Sequence, residues 1–578
     1  MDSAANFVFA ADLAELRKVG MSTVQRAGHT IVLVVHEGKI FAVDNRCPHM
    51  GFPLDKGSVH GGILTCHWHH ARFDLASGGT FDQWADDVRS FPVELRDDQI
   101  WIDVAEHRDL RAHQQDRLRV GLERNISLVI GKAVLTLTDD DGDPVAPFRT
   151  GLEFGAQYRQ QGWGQGLTMH VAFMNLLPRL EAADRPRALV HGLSAVASDS
   201  FGHPARFCVR ALPGDLPDLA TLKRWFRQFI EVRDDEGAER CVVSALRAGA
   251  DSAQMADMLF AAVTDHRYID IGHPADFTNK AFEALDIAGW DLAEPVLTSL
   301  VRGYAGAARM EESNAWRYPI DLVELLEETF ERLSSFTDQM DGGEWSESKA
   351  LVEVLLDDDP RATVAALLAA LGAGCSLLEL ARIVAYAAAL RVARFHTSNE
   401  FGDWDTALHT FTFANAIHQG MIRAPSVELL RGVFDAAMSV YLDRFLNIPA
   451  ARVPEANGGG TDVGSTLREL VTLLDRQQQV NSSARHLADY LYADGDPEIL
   501  LALLGQLLLR EDRDFHTVQC VEAAFRQYDM FDGNPVVQTH LLVAAIRYLA
   551  AHSPTVRAQG QTYRIASRLH RGEELFEG

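Results

Sequence analysis

At 578 residues, 47% of them hydrophobic, and with a formal charge of −27, the chain is long enough for a large core and more than one domain. The acidic balance argues against nucleic acid or an anionic membrane as partner. The six cysteines make no disulfide framework, because Cys47 and Cys66 share one motif while Cys208, Cys241, Cys375 and Cys520 are scattered, a usage that fits a reducing cytoplasm.

The first residues, Met1 to Asn6, carry neither a basic nor an apolar run, so no secretory signal is expected. Asp12 to Val19 reads as a short helix. Thr30 to Val35 and Ile40 to Val43 read as strands joined through Gly38. Ser90 to Leu95 and Ile100 to Val104 flank Asp97-Asp98 as a hairpin, which completes a small antiparallel β domain over residues 1–105.

Between those strands lie Cys47-Pro48-His49 and Cys66-His67-Trp68-His69, a C-x-H and a C-x-x-H pair on loops that can close over one cofactor. Structural zinc uses the same residue types. In a Rieske [2Fe–2S] centre, His replaces Cys on one iron, which lowers the negative charge of the centre and raises its potential. The segment Phe7 to Val104 resembles the ferredoxin-type Rieske domain of aromatic-ring dioxygenase systems. That resemblance implies that Cys47 and Cys66 hold one iron and His49 and His69 the other. His67 and His70 stand where the family more often has Pro and Gly. Phe52 and Trp68 replace the cysteines that form a loop disulfide in respiratory Rieske proteins, and Ala71 and Phe73 replace their hydroxyl donors. Fewer donors imply a potential toward ~ −150 mV rather than ~ +300 mV.

Residues 106–150 read as a connecting segment, with Arg108, Arg111, Arg117 and Arg119 ahead of the acidic run Asp139 to Asp143. From 151 to 578 the pattern is all-α, with apolar residues at three- and four-residue spacing in Met255 to Val263, Leu322 to Leu333, Val364 to Leu371, Leu377 to Leu390 and Leu500 to Leu509. Breaks are expected at Asp338 to Trp345 and Pro454 to Gly460. Ala362 to Leu390, the most apolar stretch, is interrupted by Gly372, Gly374, Glu379 and Arg382 and reads as a helix pair rather than a membrane span. A faint repeat aligns the region of Ala248 to Phe282 with that of Ala373 to His409, and a third copy begins at Asp514-Phe515-His516; such repeats imply a helical array or toroid.

Three helical histidines, His170, His273 and His409, sit in apolar or helix-start sequence. Their segments resemble motifs of the questin-oxidase-like family, helical proteins associated with oxygenation of aromatic polyketides. That resemblance makes the three candidate catalytic residues converging on a cavity lined by Phe173, Phe277 and Phe413, with room for a second metal or haem. The bland reading of each is a satisfied core histidine. At ~100° per residue, His409 and His418 face opposite sides of one helix, and Asp276 could orient His273 or bind a metal.

The D-x-x-H-x(4)-H iron signature of standard Rieske oxygenases is not found, and no G-x-G-x-x-G follows a strand, so electrons are expected from an external reductase or ferredoxin. The sequence reads as a cytoplasmic Rieske oxidoreductase whose cluster feeds an oxygen-dependent site acting on a hydrophobic or aromatic small molecule. Two competing readings are an electron-transfer protein with a helical scaffold and a redox sensor.

Overall fold

The computed structural model describes residues 6–106, 109–139, 142–339, 345–456, 463–573 and 575. Much of the expected breaks at Asp338 to Trp345 and Pro454 to Gly460, together with Arg108, Asp140 and Asp141, lies outside the described residues. Internal contacts divide the chain into two units, one of Met1–Pro147 with Gln561–Gly578 and one of Phe148–Gly560.

In the first unit the strands are β1 (Phe7–Asp12), β2 (Met21–Arg26), β3 (His29–His36), β4 (Lys39–Asp44), β5 (Ser58–His60), β6 (Ile63–Thr65), β7 (Arg72–Asp74), β8 (Val93–Arg96) and β9 (Gln99–Asp103). They form three antiparallel sheets, ordered β1-β9-β8, β2-β3-β4 and β5-β6-β7. Strand β3 explains why two cores form. Its side chains alternate, so Ile31 and Leu33 pack with Leu16, Ile100 and Ile102, while Val32 and Val34 pack with Val43, Leu64, Phe73, Cys47 and Cys66. The expected β8–β9 hairpin turns through Asp97 and Asp98 at φ 48° and 61°. Two positive φ values belong to the turn whose twist matches paired strands.

The stretch read as a connector is helical and belongs with the β strands. Its helices are Leu110–Glu123, capped by the Asp109 carboxylate accepting from the Ala112 N–H, and Ser127–Leu137, which buries Val129, Ile130, Ala133 and Val134. Arg117 donates to the carbonyls of Gln83 and Ala85, and His113 meets Asp86 at 2.7 Å, so the basic run docks this helix on the loop after β7. The C-terminal boundary differs as well, since Gln561–Gly578 joins this first unit.

The second unit is helical throughout its regular elements, and the five apolar windows fall in helices Ser252–Val263, Leu322–Leu333, Pro360–Gly372, Leu377–Ala393 and Pro497–Arg510. Helix Asp403–Arg423 packs against both His273–Ala288 and Phe515–Met530. A buried ionic network joins His273–Ala288 and Phe515–Met530 to helix Gln165–Leu176: Lys280 Nζ donates to Glu283 (2.9 Å) and Glu522 (2.7 Å), and Asn175 Nδ2 bridges the same two carboxylates. Removing one partner of such a network strands buried charge at a cost of ~3–5 kcal/mol, so it holds three helices in one relative position. Among the described residues no helix is long and apolar enough to cross a membrane.

Candidate functional site

The first site lies at the tip of the β5-β6-β7 sheet. Loop Cys47 to Phe52 is closed by the Cys47 N–H on the Phe52 carbonyl and by Gly51 N–H on the Cys47 carbonyl, and Gly51 takes φ 83°. The second loop is pinned by Cys66 N–H on the Ala71 carbonyl at 2.8 Å. These turns bring two buried thiols together, with the imidazoles of His49 and His69 at 4.9 Å between ring centres. The Cys66 thiol is pulled down to about 6 by its hydrogen bond with Cys47, and the same bond, with burial, pushes Cys47 up. Burial holds His49 at about 4, aided by Lys132 and His69. Among the described residues His49 Nδ1 is buried without a hydrogen-bond partner, as suits a ligand nitrogen. The donor set of two cysteine sulfurs and two imidazoles fits a [2Fe–2S] cluster.

His67 and His70 point elsewhere. His67 Nε2 meets Ser58 Oγ at 3.0 Å on the surface, and His70 is exposed at φ 63°, the left-handed position that glycine would fill without strain. Phe52 and Trp68 pack against each other at 5.9 Å, so apolar contact takes the place of a disulfide between the loops. Trp84 lies edge-on to His49 at 4.6 Å. The sequence reading missed Lys132. From helix Ser127–Leu137 its ammonium donates to the carbonyls of Pro48 (2.6 Å) and His49 (2.5 Å), clamping the first loop. Burial draws it down to about 8. Arg46 adds a second clamp, donating to the Glu573 carbonyl at 2.6 Å.

The second site stands in the helical unit. His273 opens its helix, as Pro274 implied, and His409 lies mid-helix in Asp403–Arg423. They converge, with rings 4.7 Å apart, but the third member is His516 rather than His170. One ring nitrogen from each of His273, His409 and His516 lies within 4.8 Å of the others, and His409 Nε2 meets His516 Nε2 at 3.1 Å. Burial and the two neighbouring imidazoles hold His409 at about 3, and burial lowers His273 as well, so both stay neutral and able to ligate. The carboxylate of Asp405, one turn before His409, faces His516 Nδ1 at 3.5 Å and accepts from the Tyr548 hydroxyl at 2.5 Å. A carboxylate behind an imidazole is the usual means of fixing a metal-ligating ring. His273 is aimed by a strained segment: Tyr268, Asp270 and Ile271 have φ of 42°, 44° and 49°, and Gly272 has φ 94° with Phe413 against its Cα.

His170 does not join them because its own helix faces elsewhere. Its Nε2 is hydrogen-bonded to the Phe148 carbonyl at 2.9 Å, its ring stacks on Phe148, and Gly151 and Gly192 leave room for it. His418 is not part of the cluster but does not face away as expected: it meets Gln527, on the same helix Phe515–Met530 that carries His516. Asp276 neither faces a metal nor orients His273; it is buried against the Gln519 amide. Of the three expected phenylalanines, Phe277 stacks on His273 and Phe413 meets Tyr268 edge-on, whereas Phe173 packs on His191. The cavity beside the triad holds about 540 Å³ and is walled by His409, Tyr268, Trp316, Tyr441, Phe445 and Asp443.

Two thiols and two imidazoles on adjoining loops of a small β unit define an iron–sulfur protein of the Rieske type. Residues 6–92 match the family of the Rieske [2Fe-2S] domain, and the chain belongs to that family. The ferredoxin component of the p-cumate 2,3-dioxygenase system of Pseudomonas putida is 34% identical over 83 residues, covering 14% of this chain and 70% of the relative. The ferredoxin component of the naphthalene 1,2-dioxygenase/salicylate 5-hydroxylase systems of Ralstonia sp is 28% identical over 98 residues, 17% of this chain and 94% of the relative. Apoptosis-inducing factor 3 of Homo sapiens is 29% identical over 89 residues; the match spans 15% of this chain and 15% of that relative.

Proposed function

We propose that the chain is an oxidoreductase in which a Rieske centre on Cys47, His49, Cys66 and His69 takes single electrons from an external reductase or ferredoxin. In this reading the electrons serve a metal ion held by His273, His409 and His516, where an apolar or aromatic small molecule is oxidised with oxygen. The relatives that are ferredoxin components of dioxygenase systems support the first half. The observation that carries the second is the convergence of three imidazoles beside a 540 Å³ cavity with aromatic walls. When bound, a first-row metal would supply Lewis-acid and one-electron chemistry. The 3.1 Å between two imidazole nitrogens favours a single ion over a haem. Asp405 holds the His516 ring, the strained Tyr268 to Gly272 segment aims His273, and the aromatic walls seat the substrate.

Metal analysis of protein purified without oxygen tests this reading. The expected result is more than two metal equivalents per chain, with the extra ion lost in His409→Ala and His516→Ala while the Rieske electron-spin signal persists. Cluster iron alone, unchanged in these variants, would favour the scaffold reading.

A further inference from the structure

Asp443 follows helix Val427–Leu442 and lines the same cavity wall as His409. Asp443 is 5% exposed, yet among the described residues its Oδ2 has no hydrogen-bond partner. Among the described residues the carboxyl is engaged by the Thr410 hydroxyl, with Arg391 a nearby charge. Arg391 spends its N–H groups on the Val440 and Leu356 carbonyls and on Asn447, and Arg444 lies between the rings of Tyr441 and Phe445 while binding Asp358. Nearly all buried polar atoms in native proteins find a partner, so a carboxyl that lines a cavity and keeps one oxygen unpartnered is a candidate acceptor for a ligand's donor, reached by a small turn of the side chain because that oxygen is itself closed to solvent. Thr410 directly follows His409, and its hydroxyl lies 3.4 Å from that of Tyr268, at the head of the segment that aims His273. The carboxyl is thus tied to the backbone of both ligands.

We propose that Asp443 is the residue that anchors the substrate, accepting a hydrogen bond from a hydroxyl or N–H on an otherwise apolar, flat molecule seated among Tyr268, Trp316 and Tyr441. The proposal rests on the oxidoreductase reading for the fate of that molecule but not for its binding. Burial raises the Asp443 carboxyl to about 7, so near neutrality it is partly protonated, and in either state its oxygen accepts from a neutral hydroxyl or N–H.

The test compares binding of 1-naphthol and 1-methoxynaphthalene to the full chain, since the ether keeps the ring and lacks the donor. Wild type should prefer the naphthol by about tenfold, the scale of one buried hydrogen bond. Asp443→Leu should bind both alike, and Asp443→Asn, an isostere that secures a folded protein, should fall to about threefold, with circular dichroism and the Rieske spectrum as folding controls. His516→Ala should keep the preference. Equal binding of the two probes by wild type, or an unchanged preference in Asp443→Asn or Asp443→Leu, overturns the proposal. Loss of the preference in His516→Ala also overturns it, because the anchor would then depend on the metal. An intact preference in a chain with no extra metal would refute the oxidoreductase reading and leave the anchor standing.

Discussion

Replacing Lys132 with Met removes the ammonium that clamps the first cluster loop while keeping a stem of similar length. The Pro48 and His49 carbonyls lose their donor, at ~1–3 kcal/mol each for buried polar groups. Against that, burial has drawn the lysine from 10.5 to about 8, and freeing the fold of that charge returns about 3 kcal/mol. The two nearly offset, so the variant should fold and bind its cluster. The redox consequence does not cancel. For a separation taken as ~8 Å and an effective dielectric of about 20, a unit positive charge would stabilise a reduced centre by ~2 kcal/mol. For a one-electron couple that is roughly 90 mV. A titration followed by electron-spin resonance should therefore find the Lys132→Met midpoint lower by about 50–100 mV, and Lys132→Arg close to wild type. A Lys132→Met midpoint within about 15 mV of wild type, or above it, would refute this reasoning.

His70→Gly should leave the Rieske spectrum intact and raise the unfolding free energy by about 1 kcal/mol, measured by denaturant titration, because it relieves the φ of 63°. Asp405→Asn should weaken metal retention by the triad about 10- to 100-fold in a chelator competition, with Rieske absorption unchanged. Burial holds His170 at about 4 against an ordinary 6.5, so the unfolded chain takes up its proton first as pH falls. Stability from this residue is therefore intact above pH ~6.5 and lost toward pH ~4, about 2 kcal/mol by pH 5, and the pH slope of urea unfolding should be shallower in His170→Gln.

Legibility followed sequence distance. The four residues proposed to hold the cluster lie within one short stretch whose turns are local, so the spacing of Cys47, His49, Cys66 and His69 made the two loops legible. The His70 position could be told from His69 because only one of them keeps the C-x-x-H interval. The triad draws on three helices, and His409 and His516 are 107 residues apart. An apolar setting surrounds His170 and His409 alike, and what separates them is a carbonyl on a neighbouring helix, Phe148, which no local pattern reveals. The faint third repeat at Asp514-Phe515-His516 was the available signal for His516, since it sets that histidine at a helix start like His273. Lys132 was hidden differently: the charged residues before it read as a solvated connector, although Val129, Ile130, Ala133 and Val134 form the buried face of a docked helix.

Electron delivery from cluster to triad is tested most directly by the reoxidation of a chemically reduced cluster. Metal-loaded protein, reduced without oxygen and mixed with oxygenated buffer, would be followed at the visible absorption of the Rieske centre. Wild type should reoxidise at least about tenfold faster than His516→Ala, whose cluster is intact but whose third ligand is gone. Equal rates in the two proteins would contradict the account, because the triad would then take no electrons from the cluster.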